Sequence, residues 1–153
     1  MSVQQKIDLA IRASGSISIQ DFVEISNFSK KDGFYNSEEM QKIGKKGHFI
    51  TSPEISSLFG VCLTNQFLSV FPHTKKVHLI EFGPGNGYLT LDILNYLRSK
   101  KIEVQKISIL EKSDYFIKEI KKKIPSAEVF DLSLIHISEP TRPERIGFSV
   151  FWL

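Results

Sequence analysis

The chain has 153 residues, 41% of them hydrophobic and 24% charged, an ordinary globular composition that excludes disordered, collagen-like and disulfide-rich classes. Twenty basic residues against 17 acidic ones leave a formal charge of +3, too mild a bias to argue for a nucleic-acid partner. The single cysteine, Cys62, excludes an intrachain disulfide and a thiolate metal cluster, and no metal site is readable.

The N-terminal stretch MSVQQKIDLAIRASG has no apolar h-region and a single arginine, Arg12, which argues against a secretory signal and a transit peptide. No apolar run approaches the roughly 18 residues of a membrane span, so a soluble chain with no membrane span is expected. Ser2 is placed to cap a helix running to about Ala13, with Ile7, Ala10 and Ile11 at helical spacing and Gly15 as its stop. A second helix is predicted after Ser18, where Ile19, Phe22, Val23 and Phe28 repeat at that spacing. From Ser29 to Gly47 the period fails and glycines and charges mark a long loop, a kind of connection that often carries function.

The next helix carries the clearest start signals, with Thr51 or Ser52 as N-cap, Pro53 in the first turn and Glu54 near the positive end of the dipole. Ile55, Leu58, Phe59, Cys62, Leu63, Phe67 and Val70 read as one continuous apolar stripe in core contact, ending before Pro72. The period then switches. Val77 to Phe82 reads as a buried strand, Tyr88 to Arg98 as a helix, Lys106 to Leu110 as a second strand, Ser113 as the cap of a helix to about Lys123, and Ala127 to Phe130 as the start of a third strand. Such alternation makes parallel βαβ units, so the expected class is α/β. Residues 1–72 form a helical segment ahead of the partial sheet at 73–131.

A seam lies near residue 131. All 16 lysines precede it, whereas 132–153 carry Arg142, Arg145 and the sole tryptophan, Trp152. Leu132 to Arg142, LSLIHISEPTR, resembles a reading-frame translation of a transposase-end sequencing adapter. Residues 132–153 are therefore expected to be a non-native tail; the alternative is a genuine amphipathic tail with a turn between Pro140 and Pro143.

The chemistry concentrates in Glu81, Phe82, Gly83, Pro84, Gly85, Asn86 and Gly87, between the first strand and its helix. Alternate glycines let the backbone turn sharply and approach a ligand, and the helix N-terminus behind them offers free N–H groups to an anion. Glu111 ends the second strand 24 residues after Gly87, where an acidic side chain can accept from ribose hydroxyls. The dinucleotide fingerprint wants its third glycine where Tyr88 stands, which disfavours a pyrophosphate ligand. A nicotinamide-dependent oxidoreductase is the alternative that this spacing weakens.

The pattern Glu, x, Gly, x, Gly, x, Gly resembles the first motif of class I S-adenosylmethionine-dependent methyltransferases. Two further stretches, GFY at Gly33 to Tyr35 and GHFITSPEIS at Gly47 to Ser56 followed by Phe59 and Gly60, resemble the signature of the MidA-type members of that class. That family includes a mitochondrial arginine methyltransferase that assists respiratory complex I assembly. The resemblance implies a Rossmann-like methyltransferase sheet, here truncated, with S-adenosyl-L-methionine as cofactor and a protein arginine as substrate. It places Gly83, Gly85 and Gly87, with Pro84 and Asn86 between them, under the methionine moiety, Glu81 near its amine and Glu111 on the ribose.

A guanidinium nucleophile calls for a carboxylate that orients it by paired hydrogen bonds, and Glu54 is the candidate; a capping box with Thr51 is its structural alternative. His48, where the family usually has aspartate, is a candidate general base. Phe34 and Tyr35 either line the pocket or anchor a loop. The lysine clusters, Lys121 to Lys123 among them, read as solvated surface rather than a nucleic-acid groove. A fragment of this kind is expected to be inactive and poorly folded alone. An assembly scaffold that keeps the fold without turnover is the other open reading, and a bacterial cytoplasmic or mitochondrial matrix setting fits either one.

Overall fold

The structure, a computed structural model, describes residues 1–37, 43–44, 47–132 and 149–152, the last four through their backbone. Lys45, Lys46 and the tail from Ser133 to Phe148, including the Pro140 to Pro143 turn, lie outside the described residues. Helix α1 (Val3–Ser14) opens on the predicted cap: the Ser2 hydroxyl oxygen accepts from the Gln5 N–H at 3.3 Å, and Gln5 Oε1 accepts from the Ser2 N–H at 2.8 Å. It stops at Gly15, whose φ of 78° is left-handed and whose N–H returns to the Ile11 carbonyl. Helix α2 (Ile19–Phe28) starts from the Ser18 hydroxyl, which accepts from the Asp21 N–H.

The predicted continuous helix after Thr51 is two helices, α3 (Ser52–Ile55) and α4 (Leu58–Val70), broken where Ser56 is extended at φ −158° and ψ 137°. The core stripe is corrected with it. Leu63 and Phe67 pack against the core, but Cys62, Ile55, Leu58, Phe59 and Val70 are exposed. The reason is that α4 turns its smallest residues inward. Gly60 and Thr64 are buried, and a Cβ on Gly60 would stand 2.7 Å from the Asp92 Cβ of the neighbouring helix. Close approach of two helix backbones therefore selects a narrow Gly–Thr face over the wider apolar one.

The sheet follows the predicted alternation. Strand β1 (Lys76–Phe82) leads through α5 (Tyr88–Ser99) to β2 (Glu103–Glu111), then through α6 (Asp114–Lys123) to β3 (Glu128–Asp131). The second strand begins at Glu103, three residues before its predicted start, because Glu103 and Val104 already pair with Lys76 and Val77. Both β1–β2 and β2–β3 are parallel. Strand β4 (Ser149–Trp152) runs antiparallel along the other side of β1, giving the order β3-β2-β1-β4. β1 is thus paired on both sides from Leu79 to Phe82. The core lies between the sheet and its helices, with Leu79, Ile93, Leu97, Ile109 and Ile120 fully buried. The Rossmann-like α/β class stands.

Candidate functional site

The site forms at the carboxyl ends of β1 and β2, beside the point where the strand order turns back, the usual ligand position in open α/β sheets. Parallel pairing puts Phe82 opposite Leu110, and the Gly83 N–H continues the ladder to the Leu110 carbonyl at 2.8 Å. The chain then leaves the sheet through the glycine loop. Gly85 has a φ of 56°, and a Cβ there would meet Ile43 Cδ1 at 2.9 Å; Gly87, at a φ of 76°, is the N-cap of α5. No side chain caps that helix start, an arrangement that suits an anion.

The two acidic residues converge behind this loop. Glu81 is fully buried and accepts from the Thr90 hydroxyl through Oε2, while its Oε1 has no hydrogen-bond partner among the described residues. Burial pushes its carboxyl from an ordinary 4.5 up to about 7; the Thr90 hydrogen bond offsets part of that rise and the charge of Glu111 adds to it. Glu111 is itself buried, and its Oε1 accepts from the backbone N–H groups of Lys112 at 2.7 Å and Ser113 at 2.8 Å. Burial raises its pKa, and the N–H groups of Ser113, Lys112 and Gly85 counter that rise.

Glu54 reaches this loop from α3. Its Oε1 accepts from Asn86 Nδ2 at 2.7 Å, so the carboxylate joins two predicted site residues. The capping box with Thr51 does not form: the Glu54 N–H donates to the Thr51 carbonyl at 2.9 Å rather than to its hydroxyl, and the Glu54 carboxylate is held by Asn86. His48 is exposed and lies edge-on to Phe34, with ring centroids 5.4 Å apart. No described contact joins it to Glu54, Glu81 or Glu111. Phe34 and Tyr35 anchor the loop: Tyr35 packs on Phe28 and Phe116, and its carbonyl accepts from the Ser113 hydroxyl at 2.6 Å. Burial raises the Tyr35 phenol, with Glu111 adding to the shift. His78 is structural, its Nε2 sharing a hydrogen bond with Ser108 Oγ at 2.9 Å.

One site residue was read otherwise from sequence. Lys123, in the lysine run taken as solvated, is half-buried and donates to the Asn86 carbonyl at 2.8 Å. Its phase gives it away, since Phe116, Ile120 and Lys123 are spaced i, i+4, i+7 on one helix face. Thr90 and Ser113 complete the set, each tying down a carboxylate or a loop carbonyl.

Residues 62–153 match the model of the family described as putative S-adenosyl-L-methionine-dependent methyltransferase. The chain belongs to this family. Its relatives include the mitochondrial protein arginine methyltransferase NDUFAF7 of Rattus norvegicus, 32% identical over 85% of this chain and 29% of that protein. The Homo sapiens protein of the same name is 32% identical over 80% of this chain and 27% of its own. The chain thus spans about a fifth to a third of the length of the curated relatives it matches. Its fold also resembles the crystal structure of a candidate methyl transferase from Burkholderia thailandensis bound to S-adenosyl-homocysteine, at a TM-score of 0.64 and 22% identity over 84% of this chain and 36% of that one.

The residues present suit the family's cofactor. Among the described residues Glu81 Oε1 is a buried acceptor with no donor, the partner an ammonium group would supply, and the uncapped start of α5 matches a carboxylate. Among the described residues no helix is long and apolar enough to cross a membrane.

Proposed function

We propose that this chain is the methionine- and ribose-binding half of an S-adenosylmethionine-dependent methyltransferase that acts on a protein arginine. The observation that carries the reading is the partnerless buried oxygen of Glu81 beside a glycine loop and an uncapped helix start, all at the carboxyl edge of parallel strands. When bound, the cofactor supplies a methyl group already activated on sulfonium, so the protein's task is alignment and proton removal. Glu81 takes the amine, the α5 N-terminus takes the carboxylate, and Glu111, already oriented by backbone N–H groups, takes the ribose. Glu54 orients the guanidinium, and His48, exposed at the end of the aromatic loop, accepts its proton. The arginine substrate is supported by the names of the relatives, which are protein arginine methyltransferases.

Calorimetry of the chain with S-adenosylmethionine and S-adenosylhomocysteine tests the cofactor half. Saturable heat, with affinity lowered at least tenfold in Glu81→Ala and Glu111→Ala, is expected; the absence of heat, or full affinity in both variants, rejects it. For the transfer step, the whole protein from the same locus should label arginine in a protein substrate, and Glu54→Gln should lose turnover while keeping cofactor affinity. Labelling confined to another residue type would reject the arginine assignment. The non-native reading of residues 132–153 is tested by sequencing the source DNA across the Asp131 and Leu132 codons. A reading frame that departs from LSLIHISEPTR there supports it, and one that encodes it rejects it.

A further inference from the structure

Asn86 sits between Gly85 and Gly87, both with left-handed φ, of 56° and 76°. The Gly87 N–H closes a turn onto the Pro84 carbonyl at 3.0 Å, which sets the Asn86–Gly87 peptide plane from within the loop. The flanking glycines add no steric restraint of their own, and two contacts brace the residue from opposite sides. Lys123, at the end of α6, donates to the Asn86 main-chain carbonyl at 2.8 Å, and Glu54, on α3, accepts from the Asn86 side-chain amide at 2.7 Å. The lysine ammonium also lies 4.2 Å from the centroid of the Tyr88 ring, the first residue of α5. Lys123 is half-buried, and burial lowers its pKa while Glu119 and Glu54 oppose that shift. Its neighbour Lys122 is exposed and pairs with Glu119 at 2.8 Å.

From this arrangement we infer that Lys123 is a positioning residue: by clamping the Asn86 carbonyl it fixes the glycine loop and, through the Asn86 amide, aims the Glu54 carboxylate. Three elements far apart in sequence are tied at one residue, so the cofactor loop and the carboxylate on the substrate side hold one geometry together. The contacts of Lys123 on this loop are with the Asn86 carbonyl and the Tyr88 ring, so its effect passes through Asn86. The inference rests on the methyltransferase reading for what the relay serves; the relay itself is a matter of three side chains and is testable without cofactor.

The test has a spectroscopic and a binding arm. An Asn amide held by a carboxylate has side-chain proton and nitrogen resonances displaced from those of a solvated Asn. In Lys123→Met the Asn86 side-chain resonances should move to the solvated position, as they should in Glu54→Gln. Lys123→Arg, which keeps a charged donor, should retain them, and Lys122→Met should leave them untouched. Affinity for S-adenosylhomocysteine should fall about tenfold in Lys123→Met, the loss of one hydrogen bond from a charged group, and recover in Lys123→Arg.

Asn86 resonances unmoved in Lys123→Met, or moved equally in Lys122→Met, would overturn the relay. If Lys123→Met does not fold, Lys123→Leu, which also lacks a donor, decides between the same two outcomes. Should the wild type bind no S-adenosylhomocysteine while Lys123→Met still moves Asn86, the relay stands and the methyltransferase reading fails.

Discussion

The two halves of the described chain carry apolar helices of similar sequence quality and put them to different uses. From Val77 onward, Leu79, Ile93, Leu97, Ile109 and Ile120 are fully buried against one another. In residues 1–72 the only buried hydrophobe described is Ile7, while Ile19, Ile55, Leu58 and Val70 are 65 to 84% exposed. The difference teaches that helical periodicity announces a face and leaves its cover undetermined. Helices α5 and α6 have a sheet to lie on, and α2, α3 and α4 turn much of their apolar surface to solvent. Stability should accordingly be concentrated in the sheet half.

The largest effect expected from that contrast is at Leu97. Truncation to Ala leaves a cavity under the sheet and should cost about 2–5 kcal/mol in denaturant unfolding, enough to unfold a marginal domain. A loss below about 1 kcal/mol would show that the sheet half is not where the stability lies.

Glu81 gives the next largest effect, as a dependence on pH. Its folded pKa, about 7, exceeds the ordinary 4.5, so between those values the folded state binds the proton and the unfolded state does not. Stability from this group is therefore fully present below pH 4.5 and is lost as pH rises to 7, by about 3 kcal/mol in all. Glu81→Gln should flatten that slope and raise stability at pH 8 while weakening cofactor affinity. An unchanged pH profile in the variant would mean that Glu81 is not the titrating group.

Ser2 sharpens the contrast from the other side. Ser2→Ala removes the hydroxyl half of the capping box, leaving the backbone N–H bond to Gln5, and should cost α1 about 1 kcal/mol. Because α1 is anchored mainly by Ile7 and the Lys6–Asp32 pair, the loss should appear as fraying in hydrogen exchange of residues 3–7, without a shift in the melting of the sheet. A shift in that melting would show the two halves to be one cooperative unit.

How much of this was legible in the sequence follows the same divide. The strand–helix alternation, the glycine loop and the convergence of Glu81 and Glu111 came from local signals, because parallel pairing of adjacent βα units leaves little freedom in where their strand ends meet. The break at Ser56 was not legible, since two serines in a row carry no stop signal as strong as Gly or Pro; Gly60 and Thr64 facing α5 set the direction of the second helix. The partner of Glu54 was equally hidden, because Asn86 lies 32 residues away and only the folded chain brings them together. Lys123 was misread by residue type, although its spacing from Phe116 and Ile120 puts it on their face of the helix. The pairing of residues 149–152 with β1 had no counterpart in the reading of the tail.

The smallest expected effect bears most directly on the comparison. Ile55, Leu58, Phe59 and Cys62, with Ser52 and Ser56, line a shallow apolar groove of about 350 Å³ on α3 and α4. Leu58 is 65% exposed, so Leu58→Ser forfeits little burial and should change unfolding free energy by no more than about 0.5 kcal/mol. The same substitution at Leu97 would leave a hydroxyl in the core. A cost above about 1.5 kcal/mol at Leu58 would mean that the groove is covered in solution, and the exposed half would then have to be counted with the buried one. A null result keeps the two halves distinct and leaves Leu58 and its exposed neighbours outside the core that Leu63 and Phe67 join.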